Sequence, residues 1–140
     1  MLLTENVLIE WEPSNLAAVF FPDHVQQGVS DYFPSPSRLT CYSNTLRAWK
    51  VVAESENIDI NQNFLLVSSD QNYIIRYVLF VENENKQART VKNRGTLVEV
   101  NEFLPKPIQI NVYPVILGGE LEGKPAGYYT GKIRACFIDN

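Results

Sequence analysis

Apolar residues recur at every second position through much of this chain, and that period constrains its fold more than any other property of the sequence. Ile108, Ile110 and Val112 alternate with Gln109, Asn111 and Tyr113, the spacing that puts one set on each face of a β-strand. Residues 73–81 (YIIRYVLFV) form a second, longer run rich in β-branched and aromatic side chains, which suit a pleated, half-buried surface. The same reading extends to residues 6–11, 16–21, 38–42, 48–53, 64–67, 97–100 and 127–138, separated by polar, Pro and Gly punctuation. Short strands at this spacing predict an all-β, immunoglobulin-like sandwich. Residues 46–57 (LRAWKVVAESEN) compete for helix. Val51, Val52 and the Ser-Asn-Thr turn before them favour the second arm of a hairpin instead.

Residues 31–37 (DYFPSPS), 82–95 (ENENKQARTVKNRG) and 118–127 (GGELEGKPAG) read as loops. The first carries prolines that cannot donate to a ladder, and the second has little to bury. With 140 residues, 45% of them hydrophobic and 20% charged, the chain is too apolar for disorder and suits one domain spanning 1–140. A net charge of -4 gives no field to attract a phosphate backbone, so nucleic acid is not an expected partner. The longest apolar runs, 17–21 and 77–81, fall far short of the roughly 20 residues a membrane-spanning helix needs. The start MLLTENVLIEW has no basic region, and Glu5 interrupts its apolar stretch. It therefore does not read as a signal peptide, and the chain is either cytosolic or a mature form.

No nucleophile elbow, phosphate loop, zinc-protease motif or dinucleotide fingerprint is present. The lone histidine, His24, sits in a Pro-Asp-His loop, and a triad would have to route through it. Asp59, Asp70, Glu99 and Glu102 are scattered beside strand ends, where carboxylates keep edges soluble. No enzyme activity, metal or cofactor is expected. Cys41 and Cys136 leave two possibilities open: one bridge closing a long loop, or two buried thiols. Lys86, Arg89, Lys92 and Arg94 form a basic cluster that reads either as a solvated hairpin face or as a receptor contact gripping an acidic glycan or phospholipid. Tyr32 and Phe33 beside Pro34 and Pro36, and the pair Tyr128 and Tyr129, are further candidates for a receptor patch, since Tyr supplies rigid contact area. Trp11, Trp49 and Tyr129 also suit a core.

The last sixteen residues, PAGYYTGKIRACFIDN, are the most informative. After a Pro-Ala-Gly turn, Tyr129, Ile133, Ala135 and Phe137 share one face of a strand, with Gly131 leaving a gap, while Thr130, Lys132 and Arg134 share the other. A complete immunoglobulin-like sandwich has one more strand after this one. The expectation is a sheet completed by a borrowed strand along the edge of Tyr129, Ile133, Ala135 and Phe137.

Here the sequence resembles the subunits of chaperone-usher pili. Their last strand is announced by a Pro-Ala-Gly-x-Tyr turn, matched by Pro125, Ala126, Gly127 and Tyr129. Residues 38–54 (RLTCYSNTLRAWKVVAE) are similar to the family's early strand, Ser-Asn turn and following strand. The placing of Cys41 and Cys136 is similar to the minor, tip-located invasin-type subunits of the afimbrial and Dr adhesins.

The resemblance implies a structural or adhesive subunit of a bacterial surface fibre, secreted through the periplasm. It also implies a periplasmic chaperone, an usher and other pilus subunits as partners, donor-strand complementation as the mechanism, and host-receptor attachment if the subunit sits at the tip. It implies a Cys41 to Cys136 disulfide, which requires a β-bulge because Cys136 is out of phase with Ile133, Ala135 and Phe137. Val7, Ile9 and Trp11 alternate as a donor strand would and equally as an ordinary first strand. The alternative function is a self-contained immunoglobulin-like module, binding a ligand or carbohydrate, that closes its own sandwich with the N-terminal strand.

Overall fold

The computed structural model describes residues 7–11, 17–20, 37–116, 119–125 and 127–139. Their regular structure is strand alone: β1 (Val7–Trp11), β2 (Ala17–Phe20), β3 (Ser37–Ser43), β4 (Trp49–Glu54), β5 (Phe64–Ser68), β6 (Ile74–Glu82), β7 (Ala88–Val91), β8 (Thr96–Val100), β9 (Ile108–Ile116), β10 (Gly127–Thr130) and β11 (Arg134–Asp139). The strand reading of 46–57 over helix holds in β4, which buries Trp49, Val51 and Ala53. Period two puts those three on one face, which a helical period would have scattered.

The strands form two sheets. One runs β1-β3-β9-β6-β5-β10-β2, with β7 also paired to β6, and the other runs β11-β4-β8. All the pairings are antiparallel. The larger sheet thus carries β1, β3, β9 and β6 side by side, the places of strands A, B, E and D of an immunoglobulin sandwich. The smaller carries β4 and β11 in the places of C and F. The place beside β11, where such a fold has strand G, is held by no strand among the described residues. Between the sheets, Leu39, Ile75, Tyr77 and Leu79 pack in one core with Trp49, Val51 and Ala53.

Two sequence expectations are corrected. Residues 82–95 are not all loop, since β7 pairs with the end of β6 through Leu79 to Val91 and Glu82 to Ala88. Only Val91 of β7 is buried, so its own pattern carried no strand signal. Residues 127–138 are not one strand but two, because β10 lies between β5 and β2 in the larger sheet while β11 pairs with β4 in the smaller. The crossing falls at Gly131, where a Cβ would stand 2.8 Å from the Leu65 carbonyl oxygen and 3.3 Å from the Tyr77 hydroxyl. A backbone that passes this close to another excludes any side chain.

Tyr129 locks the approach to that crossing. Its ring is buried, and its hydroxyl donates to the Pro125 carbonyl at 2.7 Å. The bond back to the chain four residues upstream is like that of the tyrosine corner of immunoglobulin-like folds, although Tyr129 lies in β10, before the F-place strand begins. Tyr129→Phe keeps the ring and deletes the bond, so urea unfolding should show a loss of about 1 kcal/mol.

Candidate functional site

β11 is held firmly on one side, and on the other no strand among the described residues pairs with it. Its residues Ala135 and Phe137 stand opposite Ala53 and Val51 of β4, and the Phe137 ring rests on Trp49 with centroids 5.6 Å apart. Ion pairs fasten both ends, Arg134 to Glu54 at 3.0 Å and Arg47 to Asp139. The inner-face side chains tell a different story. Val51 and Ala53 are fully buried, whereas Ile133, Ala135 and Phe137, which pack against the same core, are only half-buried. Among the described residues β4 is the only strand paired with β11, so its far edge offers backbone N–H and C=O groups to an added strand.

The sequence-predicted edge residues are therefore divided. Ile133, Ala135 and Phe137 line the open side, but Tyr129 is buried in the larger sheet and takes no part in it. Within this chain Val7, Ile9 and Trp11 belong to β1, which takes the place of a first strand. They stand opposite Ser43, Cys41 and Leu39 of β3 in the same chain. A sandwich closed by its own N-terminal strand would need β1 beside β11, and β1 is beside β3 instead.

The expected disulfide is absent. Cys41 and Cys136 are free thiols. Cys41 is fully buried in β3, and burial pushes its thiol up to about 11. Cys136 alternates with the core-facing Ala135 and Phe137, so it lies on the outer face of the other sheet, and β11 keeps unbroken register with β4. No bulge turns it inward. Its thiol instead donates to Glu54 at 3.4 Å.

Glu54 thereby gathers a small outer cluster, with Arg134 at 3.0 Å and Arg94 at 3.9 Å. The Cys136 hydrogen bond and then Arg134 hold its carboxyl below the usual range. A depressed carboxylate contributes stability at neutral pH that disappears as pH falls through its folded value. Acid unfolding of Glu54→Gln should therefore match the unmodified chain at low pH and show a lower midpoint stability only at pH values above the ordinary carboxylate pKa.

The other edge of the smaller sheet is closed differently. Arg89 reaches from β7 to β8, its guanidinium donating to the carbonyls of Thr96 and, at 2.9 Å, Leu97. These acceptors lie beside a cleft of about 580 Å³ whose wall includes Leu97, Ile108 and Ile110. The basic cluster is thus only partly available to a receptor. Lys86 and Lys92 are exposed, while Arg89 is committed to β8 and Arg94 leans on Glu54. Tyr32 and Phe33, like His24, lie outside the described residues. Sequence reasoning missed the role of Arg89, whose only signal was a cation seven and eight residues before the carbonyls it covers. Charged side chains over a strand edge prevent edge-to-edge pairing. Arg89→Ala should raise the oligomer fraction on size-exclusion chromatography as protein concentration rises, relative to the unmodified chain.

Together these features define an immunoglobulin-like sandwich with a partly apolar edge at its F-place strand that no strand among the described residues covers. No family model matches the sequence, and no curated protein matches it. Among solved structures, the fold is similar to a chain described under "Chaperone-tip adhesin complex is vital for synergistic activation of CFA/I fimbriae biogenesis". The TM-score is 0.56 and the identity 15%, over 89% of this chain and 41% of that one. This chain thus spans less than half the length of the one it resembles.

Proposed function

We propose that this chain is a subunit of a bacterial surface pilus, structural or adhesive, whose sandwich is completed by a strand from another protein laid along β11. The observation that carries this reading is the pairing of fully buried Val51 and Ala53 with half-buried Phe137 and Ala135 across one register. An added strand would bond to the β11 backbone and place alternate side chains over Ile133, Ala135 and Phe137. The likeness in fold to a chain of a chaperone and tip-adhesin complex supports it. On this reading the partners are a periplasmic chaperone, an usher and neighbouring subunits, and the chain acts at the cell surface, at the tip if it contacts a host receptor.

The test is to titrate the full chain with a synthetic peptide of alternating Val and Thr. The reading expects hydrogen-exchange protection at residues 134–139 and a melting temperature raised by roughly 10 °C at a hundredfold excess over Kd. Phe137→Asp should abolish both effects. Unchanged exchange at β11 with unchanged melting at saturating peptide would overturn the proposal.

A further inference from the structure

A second recessed surface lies away from the β11 edge, where the turn after β5 meets β10. Its walls are Tyr73 and Tyr128, 41% and 64% exposed, with Ser68, Ser69, Asp70 and Pro125 between them. The cleft measures about 170 Å³. That is well below the roughly 300–1,000 Å³ of sites for drug-sized ligands, and it limits an occupant to about one ring.

The turn is preformed. The Ser68 amide donates to the Tyr73 carbonyl at 2.9 Å, and the Gln71 amide donates to the Ser68 carbonyl at 2.9 Å. Asp70 Oδ1 accepts from the Ser68 hydroxyl at 2.6 Å and from the Asn72 amide at 3.0 Å. These two donors hold the Asp70 carboxyl below its usual range, so it is a fixed anionic acceptor. The Ser69 hydroxyl ties the turn to the Tyr128 carbonyl at 3.3 Å, which sets one tyrosine against the other side of the cleft. Beneath lies the buried Tyr129, whose hydroxyl is raised first by burial and then by the nearness of Asp70 and Tyr73. The cleft therefore combines exposed aromatic surface, an oriented carboxylate and little conformational freedom to lose on binding.

The geometry points to a binding site for one neutral pyranose ring of a glycan. The C–H face of such a ring is weakly positive and lies well on the negative face of a tyrosine. Its hydroxyls are donors, which an ionised carboxylate, an acceptor only, can pair with. No cation is among the residues lining the cleft, so an acidic sugar would meet Asp70 with like charge. The site would serve an adhesive role, yet it requires no strand at β11 and is tested without one.

The full chain would be followed by amide NMR while adding, separately, methyl β-galactopyranoside, methyl α-mannopyranoside, methyl β-glucopyranoside and N-acetylneuraminic acid. At least one neutral glycoside should give saturable shifts at residues 68–73 and 127–129, with a Kd on the order of 1 mM, and the acid should give none. Tyr128→Ala and Asp70→Asn should each weaken that binding about tenfold while leaving the amides of β4 and β11 in place. The inference is overturned if no neutral glycoside shifts these amides at about 50 mM, well above a millimolar Kd. It is equally overturned if the shifts survive both substitutions or if the acid binds as well as the neutral sugars.

Discussion

Trp49→Ala is expected to remove about 3–5 kcal/mol of stability, the cost of deleting a large aromatic side chain from a packed core. A domain of this size has roughly 5–15 kcal/mol in all, so urea unfolding should shift to far lower denaturant or lose its cooperative transition. The reason lies in the position of the ring. Trp49 is 1% exposed, begins β4 and stands opposite Val100 of β8 on one side and Asp139 of β11 on the other. It also carries the Phe137 ring. Its loss thus loosens both neighbours of β4, including the edge proposed to receive a strand. Trp49→Phe separates ring from volume. The indole N–H is buried with no hydrogen-bond partner among the described residues, so phenylalanine keeps aromatic contact without stranding a donor. The expected cost is about 1–3 kcal/mol, less than for Trp49→Ala because a smaller cavity is left.

Gly131→Val should be comparably damaging, at about 3 kcal/mol or more, because the obstruction includes main chain. The atom nearest a new Cβ is the Leu65 carbonyl oxygen at 2.8 Å, with Leu66 Cδ2 next at 3.2 Å. Neither the carbonyl nor the β5 ladder that holds it can swing aside. The last strand would then fail to pass from the larger sheet to the smaller, and amide exchange at residues 134–139 should rise well before that at β6 and β9. Tyr77→Phe offers a control. It removes the third-nearest atom, a buried hydroxyl that has no hydrogen-bond partner among the described residues, yet leaves the carbonyl in place. It should not rescue Gly131→Val.

Much of the sandwich was legible in the sequence because burial on one face of a sheet writes itself as period two. Ile108, Ile110 and Val112 did so in β9, while β4 was read as a strand against a helical competitor from the β-branched Val51 and Val52 and the turn before them. β7 was not legible. Three of its residues, Ala88, Arg89 and Thr90, are exposed, and it is a strand because β6 extends far enough beyond β5 to pair with it. The candidate site was half legible. Ile133, Ala135 and Phe137 do share the core-facing side, and the phase of Cys136 against them already stood in the way of a bridge to Cys41. Alternation cannot say which of two stacked sheets a residue belongs to, and so Tyr129 was placed at an edge it does not reach.

By itself the sequence determined that the molecule is built of strands and, where apolar residues alternate, which side chains face inward, since both follow from local geometry and from the cost of leaving apolar surface in water. It also marked the final segment as the one to watch. Only the tertiary structure decided that this segment divides at Gly131 between two sheets, that Arg89 covers the β8 edge, and that β1 lies beside β3 rather than β11. Those outcomes depend on contacts between residues distant in the chain, such as Leu65 with Gly131 and Ala53 with Ala135. The period that makes a strand is the same whichever partner it finds, so which strands flank β11 among the described residues is decided by the tertiary structure.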